Sequence, residues 1–432
     1  MICENIEIGQ NGHLLFAGQD TVELAKQYGT PLYLLDENYI RKMCNIYKDA
    51  FYKYFGDRAY PVYASKANAF RRIYEIMKEE NLGIDVVSQG EIYTAVKAGF
   101  DMKNAYFNSN NKTDEDISFA MDNKVGYFVV DNIEEVYAIE EEAKKRGMKQ
   151  KILLRLTPGI DPHTYEEVAT GKVDSKFGTA IETGQAEEIT KITLGKEHII
   201  LSGFHCHVGS QVFAEDVFER AAVVMLEFIA LIKDKYGYTT EILDLGGGYG
   251  VRYVDTDPYL SIDKKVSEVA TAIKDTCKRL NIDVPEIHME PGRSIVAASG
   301  MTLYTVGTVK RITGYKNYVS IDGGMADNPR YILYGSKYTC LLANKMNENS
   351  NFECSLVGRC CESGDIIQEN IKLPESVERG DIVAVCTTGA YNYSMASNYN
   401  RLTRPPIVML NKGKSYVAVK RETLDDLIQN DM

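Results

Sequence analysis

Apolar runs alternate with amphipathic runs through the middle of the chain, from about residue 58 to about residue 293. Segments such as AFRRIYEIMKEE (69–80) and IEEVYAIEEEAKKRG (133–147) repeat apolar residues every three or four positions among charges, which predicts helices. Between the helical segments, short runs rich in β-branched and aromatic residues predict eight strands, at residues 59–66, 82–88, 104–109, 126–132, 151–157, 201–209, 241–248 and 286–293.

The apolar character of these strands indicates the fold class. Several strands are apolar throughout, which is typical of a parallel sheet whose two faces are both buried. Eight strand–helix units over this length favour a closed (β/α)8 barrel, or TIM barrel, over an open sheet. We therefore predict an α/β fold in which residues 36–297 form the barrel domain.

The pattern changes after about residue 297. Short strands separated by turns, with few helices, follow in MTLYTVGTVKRIT (301–313), DIVAVCTTGA (381–390) and IVMLNKGKSYVAVK (407–420). This predicts an all-β domain of the sandwich or barrel type over residues 298–432. Residues 1–35 also contain strand-like runs, so we expect them to join that β domain.

Composition and charge narrow the class of partner. The net charge of -12 would repel nucleic acid and anionic membranes at long range. No run approaches the roughly 20 apolar residues needed to cross a bilayer, and no basic segment followed by an apolar run marks a signal peptide at the start. The nine cysteines lack paired zinc-type spacing, which favours reduced thiols. A cytoplasmic protein with no nucleic-acid or membrane partner is the expectation.

Polar residues and glycines recur where the predicted barrel strands end. The active sites of barrel enzymes lie at the carboxyl ends of their strands, so residues gathered there are candidates for chemistry. Such positions are Lys66, Asp85, Ser88, Asn110, Asn111, Lys112, His205, His207, Gly246, Gly247, Gly248, Glu290 and Arg293. Their repeated occurrence on one face predicts an active site.

Lys66 and the triglycine Gly246–Gly248 can each be interpreted in two ways. A lysine at a strand end usually reaches into solvent, but one with a lowered pKa can form a Schiff base with an aldehyde cofactor. Gly246–Gly248 would let backbone amides approach a phosphate, or would simply make a tight turn. The triglycine matches neither a dinucleotide fingerprint, since Val251 replaces the last glycine, nor a P-loop.

The remaining strand-end residues favour one cofactor. Glu290 is either a salt-bridge partner or the carboxylate that holds a proton on a ring nitrogen, and Arg293 suits a phosphate or a carboxylate. His205 and His207 alternate on a predicted strand, so we expect only one at the working end, and neither has a partner at metal-ligand spacing. Lysine, glycines, carboxylate and arginine together favour pyridoxal 5'-phosphate (PLP), with no metal.

The sequence resembles the barrel-type PLP-dependent amino-acid decarboxylases, and within them most closely the diaminopimelate decarboxylases. The resemblance covers nearly the whole chain in order. The motifs that carry it are YASKAN (63–68), GIDVVSQGE (83–91), SNNKT (109–113), KFG (176–178), GFHCHVGSQ (203–211), DLGGGYG (244–250), EPGRSIV (290–296), DGGMADNPRYILYG (322–335), CESGD (361–365), GAYNYSMASNYN (389–400) and RETLDDL (421–427).

The resemblance implies a set of cofactor residues. Lys66 would carry PLP as a Schiff base, His207 would stack on the pyridine ring, and Glu290 would pair with the ring nitrogen. The phosphate would be held by Ser210, Gly246, Gly247, Gly248, Gly292, Arg293 and Tyr391.

It also implies substrate residues and an assembly. Cys361 would be the general acid that reprotonates the carbanion, delivered from the partner subunit of a homodimer with shared active sites. The substrate would contact Arg293, Arg330, Tyr334, Glu362 and Tyr391. Without the resemblance, Cys361 would be expected to pack in the β domain, and Arg330 would be expected to anchor a loop through an ion pair.

The implied reaction is loss of CO2 from meso-2,6-diaminopimelate to give L-lysine. Two segments depart from the family pattern, Tyr165–Gly171 and Arg330–Gly335, both expected to be loops beside the substrate. The alternative is a decarboxylase of the same fold acting on ornithine, arginine or carboxynorspermidine. Glu362 is the discriminating residue, because ornithine-type enzymes have Asp in that motif. Racemase-like chemistry and a non-catalytic PLP-binding regulator are further alternatives.

Overall fold

The computed structural model describes residues 2–160, 175–214 and 216–432, so the divergent segment Tyr165–Gly171 lies outside the described residues. The chain divides into two compact units. The barrel unit comprises Cys44–Gly250 and Leu260–Gly292. The β unit comprises Met1–Met43, Val251–Tyr259 and Arg293–Met432.

The strands of the described residues follow one another in this order: β1 (Ile6–Ile8), β2 (Leu14–Phe16), β3 (Gln19–Asp20), β4 (Leu32–Asp36), β5 (Ala59–Ala64), β6 (Gly83–Val86), β7 (Ala105–Asn108), β8 (Tyr127–Val130), β9 (Gln150–Thr157), β10 (Thr179–Ala180), β11 (Ile199–His205), β12 (Ile242–Asp244), β13 (Glu286–Met289), β14 (Gly300–Arg311), β15 (Asn317–Ile321), β16 (Cys340–Leu342), β17 (Phe352–Val357), β18 (Ile366–Leu373), β19 (Ile382–Cys386), β20 (Ile407–Asn411) and β21 (Lys414–Val419).

The α-helices of the described residues are α1 (Thr21–Tyr28), α2 (Glu37–Phe55), α3 (Arg71–Glu79), α4 (Gln89–Lys97), α5 (Asp114–Asp122), α6 (Ile133–Lys145), α7 (Gln185–Leu194), α8 (Val217–Tyr236), α9 (Ile262–Leu280), α10 (Arg293–Val296), α11 (Arg330–Tyr334) and α12 (Leu424–Ile428).

Eight parallel strands close into a barrel in the barrel unit. Hydrogen-bonded neighbours follow the order β9–β11–β12–β13–β5–β6–β7–β8, and β8 pairs with β9 to complete the circle. The short strand β10 adds a further parallel pairing to β9. This arrangement confirms the TIM barrel predicted from the eight strand–helix units.

Side chains from different strands of the barrel form a buried cluster. Val62, Tyr106, Val129, Leu153 and Ile242 belong to β5, β7, β8, β9 and β12 and contact one another. Burial of an aliphatic or aromatic side chain of this size contributes roughly 1.5–3 kcal/mol. The apolar strand runs of the sequence therefore build the scaffold that carries the strand-end residues.

Two of the strand-end candidates serve the scaffold. Ser88 is the N-cap of α4, where its hydroxyl accepts a hydrogen bond from the backbone N–H of Glu91 at 3.2 Å. Lys112 is buried and forms an ion pair with Glu135, with 3.0 Å between Nζ and Oε2. These structural contacts explain the position of each side chain without a role in catalysis.

The β unit is built on a nine-stranded sheet that includes a strand from the start of the chain. The main path is β18–β17–β15–β14–β4–β20–β21, and β19 pairs with β14 and β16. Strand β4 pairs antiparallel with β14 and parallel with β20, which confirms that the N-terminal region joins the β domain. Strands β1, β2 and β3 form a separate small sheet.

The structure corrects two local expectations. Arg330–Tyr334, expected to be a loop, is the short helix α11, which is followed by Gly335 with a φ of 60°. Strand β11 ends at His205, so His207 lies beyond the strand and the alternation argument does not apply to it. None of the helices among the described residues combines the length and apolar composition that a bilayer crossing requires.

Candidate active site

Lys66 lies in a single 3₁₀ turn, Ser65–Ala67, directly after β5. Ser65 and Ala67 are buried while the Lys66 side chain is exposed. Its positive charge acts on several buried acids, including Asp85 and Glu290, whose pKa values it lowers against the larger opposing effect of burial. The lysine amine is therefore accessible and adjoins the carboxyl groups of the barrel interior.

Glu290 follows β13 and is only 6% exposed. Nε2 of His205 and Oε2 of Glu290 are 3.2 Å apart. Burial acts to raise the pKa of Glu290, but His205, Lys66 and Arg155 outweigh it and hold that pKa below its ordinary value. Among the described residues, Oε1 of Glu290 has no hydrogen-bond partner. Glu290 is thus an ionised carboxylate with acceptor capacity left for a ring N–H.

His205 and His207 have different surroundings. His205 is fully buried, whereas His207 is half-buried and its Nδ1 accepts a hydrogen bond from the backbone N–H of Gly247 at 3.2 Å. Burial and the nearby charges of Lys66 and Arg155 hold the pKa of His207 well below its ordinary value. His207 is therefore a neutral imidazole with its proton on Nε2, which suits stacking on an aromatic ring.

The triglycine packs against neighbouring backbone without room for side chains. A Cβ at Gly247 would lie 2.1 Å from the carbonyl oxygen of Glu290. A Cβ at Gly248, whose φ is 113°, would lie 2.0 Å from the carbonyl oxygen of Gly209. The neighbouring Gly246 and Gly292 are similarly enclosed. This close packing of bare backbone fits a cradle for a phosphate group.

Two charged residues on the barrel strands were not identified as site candidates from the sequence. Arg155 on β9 is buried, donates from Nη1 to Oδ1 of Asn108 at 3.2 Å, and its Nε lies 3.9 Å from Oδ1 of Asp131. Asp244, the last residue of β12, is fully buried. A charged residue inside an otherwise apolar strand run, as in KILLRLT and EILDLGG, was the signal that could have found them.

In the β unit, two arginines flank one tyrosine. The guanidinium carbon of Arg293 lies 4.7 Å from the ring centroid of Tyr391, and that of Arg330 lies 5.2 Å from the same centroid. Arg293 also donates from Nη1 to the hydroxyl of Tyr253 at 2.7 Å. Tyr391 has a φ of 61°. The arrangement concentrates positive charge around an aromatic side chain.

Arg330 is 6% exposed and has no carboxylate partner within 4.0 Å among the described residues. It donates from Nη2 to Oγ of Ser336 at 3.3 Å, and its guanidinium carbon lies 5.1 Å from the ring centroid of Tyr334. Within the described ranges, the loop-anchoring ion pair considered from the sequence is therefore not formed. A buried guanidinium without a carboxylate partner suits an anionic group.

Cys361 and Glu362 are exposed, so the expectation that Cys361 packs inside the β domain is wrong. The backbone N–H of Cys361 donates to Oδ1 of Asn400 at 2.7 Å. All nine cysteines lie among the described residues, and none of them forms a disulfide. The turn that carries Cys361 and Glu362 presents both side chains on the surface of the chain.

The predicted residues thus form three groups. The barrel unit holds Lys66, His207, Ser210, Gly246, Gly247, Gly248, Glu290 and Gly292. The β unit holds the arginine–tyrosine group of Arg293, Arg330, Tyr334 and Tyr391, and the exposed pair Cys361 and Glu362. A lysine amine, a glycine cradle, a neutral histidine and a carboxylate with a free acceptor fit an aldehyde cofactor that has a phosphate and a basic ring nitrogen, as PLP has.

Comparisons with known proteins agree with this fit. The family model "Pyridoxal-dependent decarboxylase, pyridoxal binding domain" matches residues 38–297. The diaminopimelate decarboxylase of Bacillus subtilis is 43% identical, covering 98% of this chain and 96% of that protein. The corresponding Synechocystis enzyme is 38% identical, covering 98% of this chain and 91% of that protein.

A solved structure extends the similarity to the whole fold. The diaminopimelate decarboxylase of M. jannaschii, in complex with L-lysine, has a TM-score of 0.92 and 33% identity, covering 100% of this chain and 98% of that one. The family match and the fold match agree. The chain therefore belongs to the diaminopimelate decarboxylase family of PLP-dependent carboxy-lyases.

Proposed function

We propose that this chain removes CO2 from meso-2,6-diaminopimelate to give L-lysine, the last step of lysine biosynthesis. The observation that carries the proposal is sequence identity of about 40% with diaminopimelate decarboxylases over nearly the full length of both chains. The M. jannaschii relative was solved with L-lysine, the product expected of this reaction.

The barrel residues hold and tune the cofactor. PLP, when bound, supplies an electron sink for breaking the bond between Cα and the carboxylate. Lys66 would hold the aldehyde of the cofactor through its amine, and Glu290 would hold a proton at the ring nitrogen. Neutral His207 would stack on the ring, and the backbone of Gly246–Gly248, with Ser210 and Gly292, would bind the phosphate.

The arginine–tyrosine group binds anionic groups of the ligands. We assign Arg293 and Tyr391 to the phosphate and the substrate, and Arg330 with Tyr334 to the distal carboxylate of the substrate. The buried Arg330 guanidinium supports this role, because no described carboxylate satisfies it. Glu362 would bind the distal ammonium. A substrate that lacks these groups would leave buried polar groups unpaired and would be rejected strongly.

Cys361 is proposed to return a proton to Cα after CO2 leaves, acting from the partner subunit of a homodimer. Its exposure on the surface of the chain supports a role toward a second subunit rather than in packing. The active unit would then contain two sites, each with residues from both subunits.

The alternative substrates have weaker support. The comparisons support diaminopimelate rather than ornithine, arginine or carboxynorspermidine. A lysine/ornithine decarboxylase from Vibrio vulnificus, solved with putrescine, shares 24% identity and a TM-score of 0.77, which indicates a common fold alone.

The decisive experiment measures CO2 release by purified protein with PLP from meso-diaminopimelate, L-ornithine, L-arginine and carboxynorspermidine, each supplied separately. We expect CO2 and an equal amount of L-lysine from diaminopimelate alone. CO2 release from one of the other amines, with none from diaminopimelate, would move the chain to a sister activity.

Two variants test the assigned roles. Lys66→Ala should lose the absorption band of covalently held cofactor, whereas Lys97→Ala, on the surface of α4, should keep it. Cys361→Ala should keep that band but turn over more slowly. A Cys361→Ala protein with full activity would remove the cysteine from the mechanism.

A further inference from the structure

Asp244 lies at the base of the glycine cradle. It ends β12 and is 0% exposed. Oδ1 of Asp244 accepts a hydrogen bond from the backbone N–H of Gly246 at 2.8 Å. Its own carbonyl accepts from the N–H of Cys206 at 2.9 Å. One oxygen of the Asp244 carboxyl group is therefore committed to the first glycine of the cradle.

The carboxyl group of Asp244 also lies near that of Glu290, the carboxylate proposed to face the ring nitrogen. One ligating atom from each of Asp244, Glu290 and His205 lies within 4.8 Å of the other two. Among the described residues, neither Oδ2 of Asp244 nor Oε1 of Glu290 has a hydrogen-bond donor. Two buried carboxyl groups at this separation cannot both be ionised cheaply, so one of them must carry a proton.

The surrounding charges place that proton on Asp244. Within the described residues, no lysine or arginine forms an ion pair with Asp244. The titratable groups that interact with it are Asp85, Tyr106, His205, Cys206, Tyr249 and Glu290. Burial and the charge of Glu290 raise the pKa of Asp244 well above its ordinary value, whereas the pKa of Glu290 is held low.

We propose that Asp244 is a positioning residue that donates a hydrogen bond from its protonated carboxyl group to Glu290 while its other oxygen anchors Gly246. One side chain then links the residue that faces the cofactor's ring nitrogen to the loop that binds its phosphate. A carboxylate oxygen has two lone pairs, so a hydrogen bond from Asp244 leaves Glu290 able to accept from the ring nitrogen. The proposal rests on the cofactor role of Glu290 and not on the identity of the substrate.

Infrared spectroscopy of the cofactor-free protein tests the protonation. A protonated buried carboxylic acid has a C=O stretching band that an ionised carboxylate lacks. The spectrum of wild type minus Asp244→Asn should contain that band at pH 7. Asp263→Asn is the matched control, because Asp263 is a half-exposed carboxylate paired with Lys53 in the same unit and should contribute no such band. A difference spectrum for Asp244 without the band would overturn the proposal.

Cofactor binding tests the positioning. Asp244→Ala leaves both Glu290 and the Gly246 N–H without their partner, so PLP should bind on the order of tenfold to a hundredfold more weakly. Asp244→Asn should bind PLP within a few-fold of wild type, because the amide oxygen can accept from Gly246 while the amide N–H donates to Glu290.

Two results would contradict the positioning role. If Asp244→Ala bound PLP as tightly as wild type does, the positioning role would be excluded. If Asp244→Asn bound PLP as weakly as Asp244→Ala does, the negative charge of Asp244 would be needed instead of its proton. Should Asp244→Ala not fold, as judged by circular dichroism, the infrared result and the affinity of Asp244→Asn still decide. None of these measurements uses diaminopimelate, so they are independent of a failure of the proposed reaction.

Discussion

Gly248 is the position in the glycine cradle, Gly246–Gly248, where a side chain would have the least room. Its φ of 113° is rarely adopted by residues that have a Cβ, and its carbonyl accepts from the N–H of Val212 at 2.9 Å. A methyl group there would lie 2.0 Å from the carbonyl oxygen of Gly209. The backbone must therefore move before any other residue can be accommodated.

Gly248→Ala should accordingly bind PLP at least tenfold more weakly, because the displaced backbone no longer presents the Gly248 N–H to the phosphate. Titration of cofactor-free protein with PLP, followed by absorbance, measures this. Gly195→Ala is the control, since Gly195 has a φ of -85° at the end of α7 and a Cβ there would be 3.4 Å from its nearest neighbour. Equal affinities of the two variants would rule out the cradle as a tight phosphate site.

For individual residues, the sequence predicted site candidates that follow the barrel strands and missed those that belong to the strands. Lys66, Gly248 and Glu290 were found because each interrupts an apolar run just where a barrel strand finishes. Arg155, inside β9, and Asp244, the last residue of β12, were missed, because one polar residue within a predicted strand does not reveal which partners the neighbouring strands supply. Those partners are distant in sequence, as the separation of Asp244 and Glu290 illustrates.

Among the elements, a buried ion pair joins the segment after β7 to the start of α6, the helix that follows β8. Nζ of Lys112 lies 3.0 Å from Oε2 of Glu135 and 2.6 Å from the carbonyl oxygen of Val129. Glu135 in turn accepts from the backbone N–H groups of Lys112 and Asp131 at 3.0 and 3.1 Å. The pair thus fixes two adjacent strand ends of the barrel.

Lys112→Met should lower the free energy of unfolding by roughly 3–5 kcal/mol, because it leaves the buried Glu135 carboxylate without its cation. Denaturant unfolding of the cofactor-free protein provides the measurement. Lys145→Met is the control, since it removes an exposed pair with Glu142 and should cost less than about 1 kcal/mol. Similar losses in both variants would contradict the role given to the buried pair.

A buried acid after β15 makes the stability of the β unit depend on pH. Oδ1 of Asp327 accepts from the hydroxyl of Tyr304 at 2.5 Å, and its Oδ2 accepts from the N–H of Gly324 at 3.1 Å. Burial nevertheless raises the pKa of Asp327 to about 7. Between an unfolded pKa of about 4 and this value the folded chain binds more protons than the unfolded chain, so its stability falls as pH rises through that window.

The stability of wild type relative to Asp327→Asn should therefore decline from about pH 5 to pH 7 and stay constant above it. Unfolding midpoints of the two proteins over this range give the comparison. The substitution removes the titration but keeps an oxygen acceptor. Parallel pH profiles would show that Asp327 does not titrate in this window.

Element prediction succeeded where a pattern extends over several residues. The eight barrel strands were located because each is a run of apolar residues between polar turns. Helix α11 was missed because five residues are too few to show a helical period. The pairing of β4 with β14 and β20 joins segments more than 250 residues apart, which a local pattern cannot specify.

For the whole molecule, the proposed homodimer with shared sites predicts that each active site needs residues from both subunits. Lys66→Ala and Cys361→Ala each disable one contribution to every site of their own homodimers. Mixing the two variants under conditions of subunit exchange should produce heterodimers that have one intact site. Activity should then recover to roughly a quarter of the wild-type value, since half of the dimers are mixed and each has one good site.

In the control, each variant is mixed with itself under the same conditions, and the activity should not rise. Mixtures that gain no activity, although exchange is demonstrated by differently tagged subunits, would place Lys66 and Cys361 in the same subunit or remove Cys361 from the site. The cytoplasmic location expected from the sequence stays a prediction.

The place of β4 between β14 and β20 has a consequence for synthesis on the ribosome. Residues 32–36 leave the exit tunnel early, yet their partners at 300–303 follow the whole barrel segment, and those at 407–410 are made near the end of translation. The barrel segment is therefore complete before either partner is made, and domains generally fold as units while synthesis continues. For most of that time β4 is an unpaired apolar strand edge, a known route to aggregation. The nascent chain should therefore depend on chaperones until its last strands emerge.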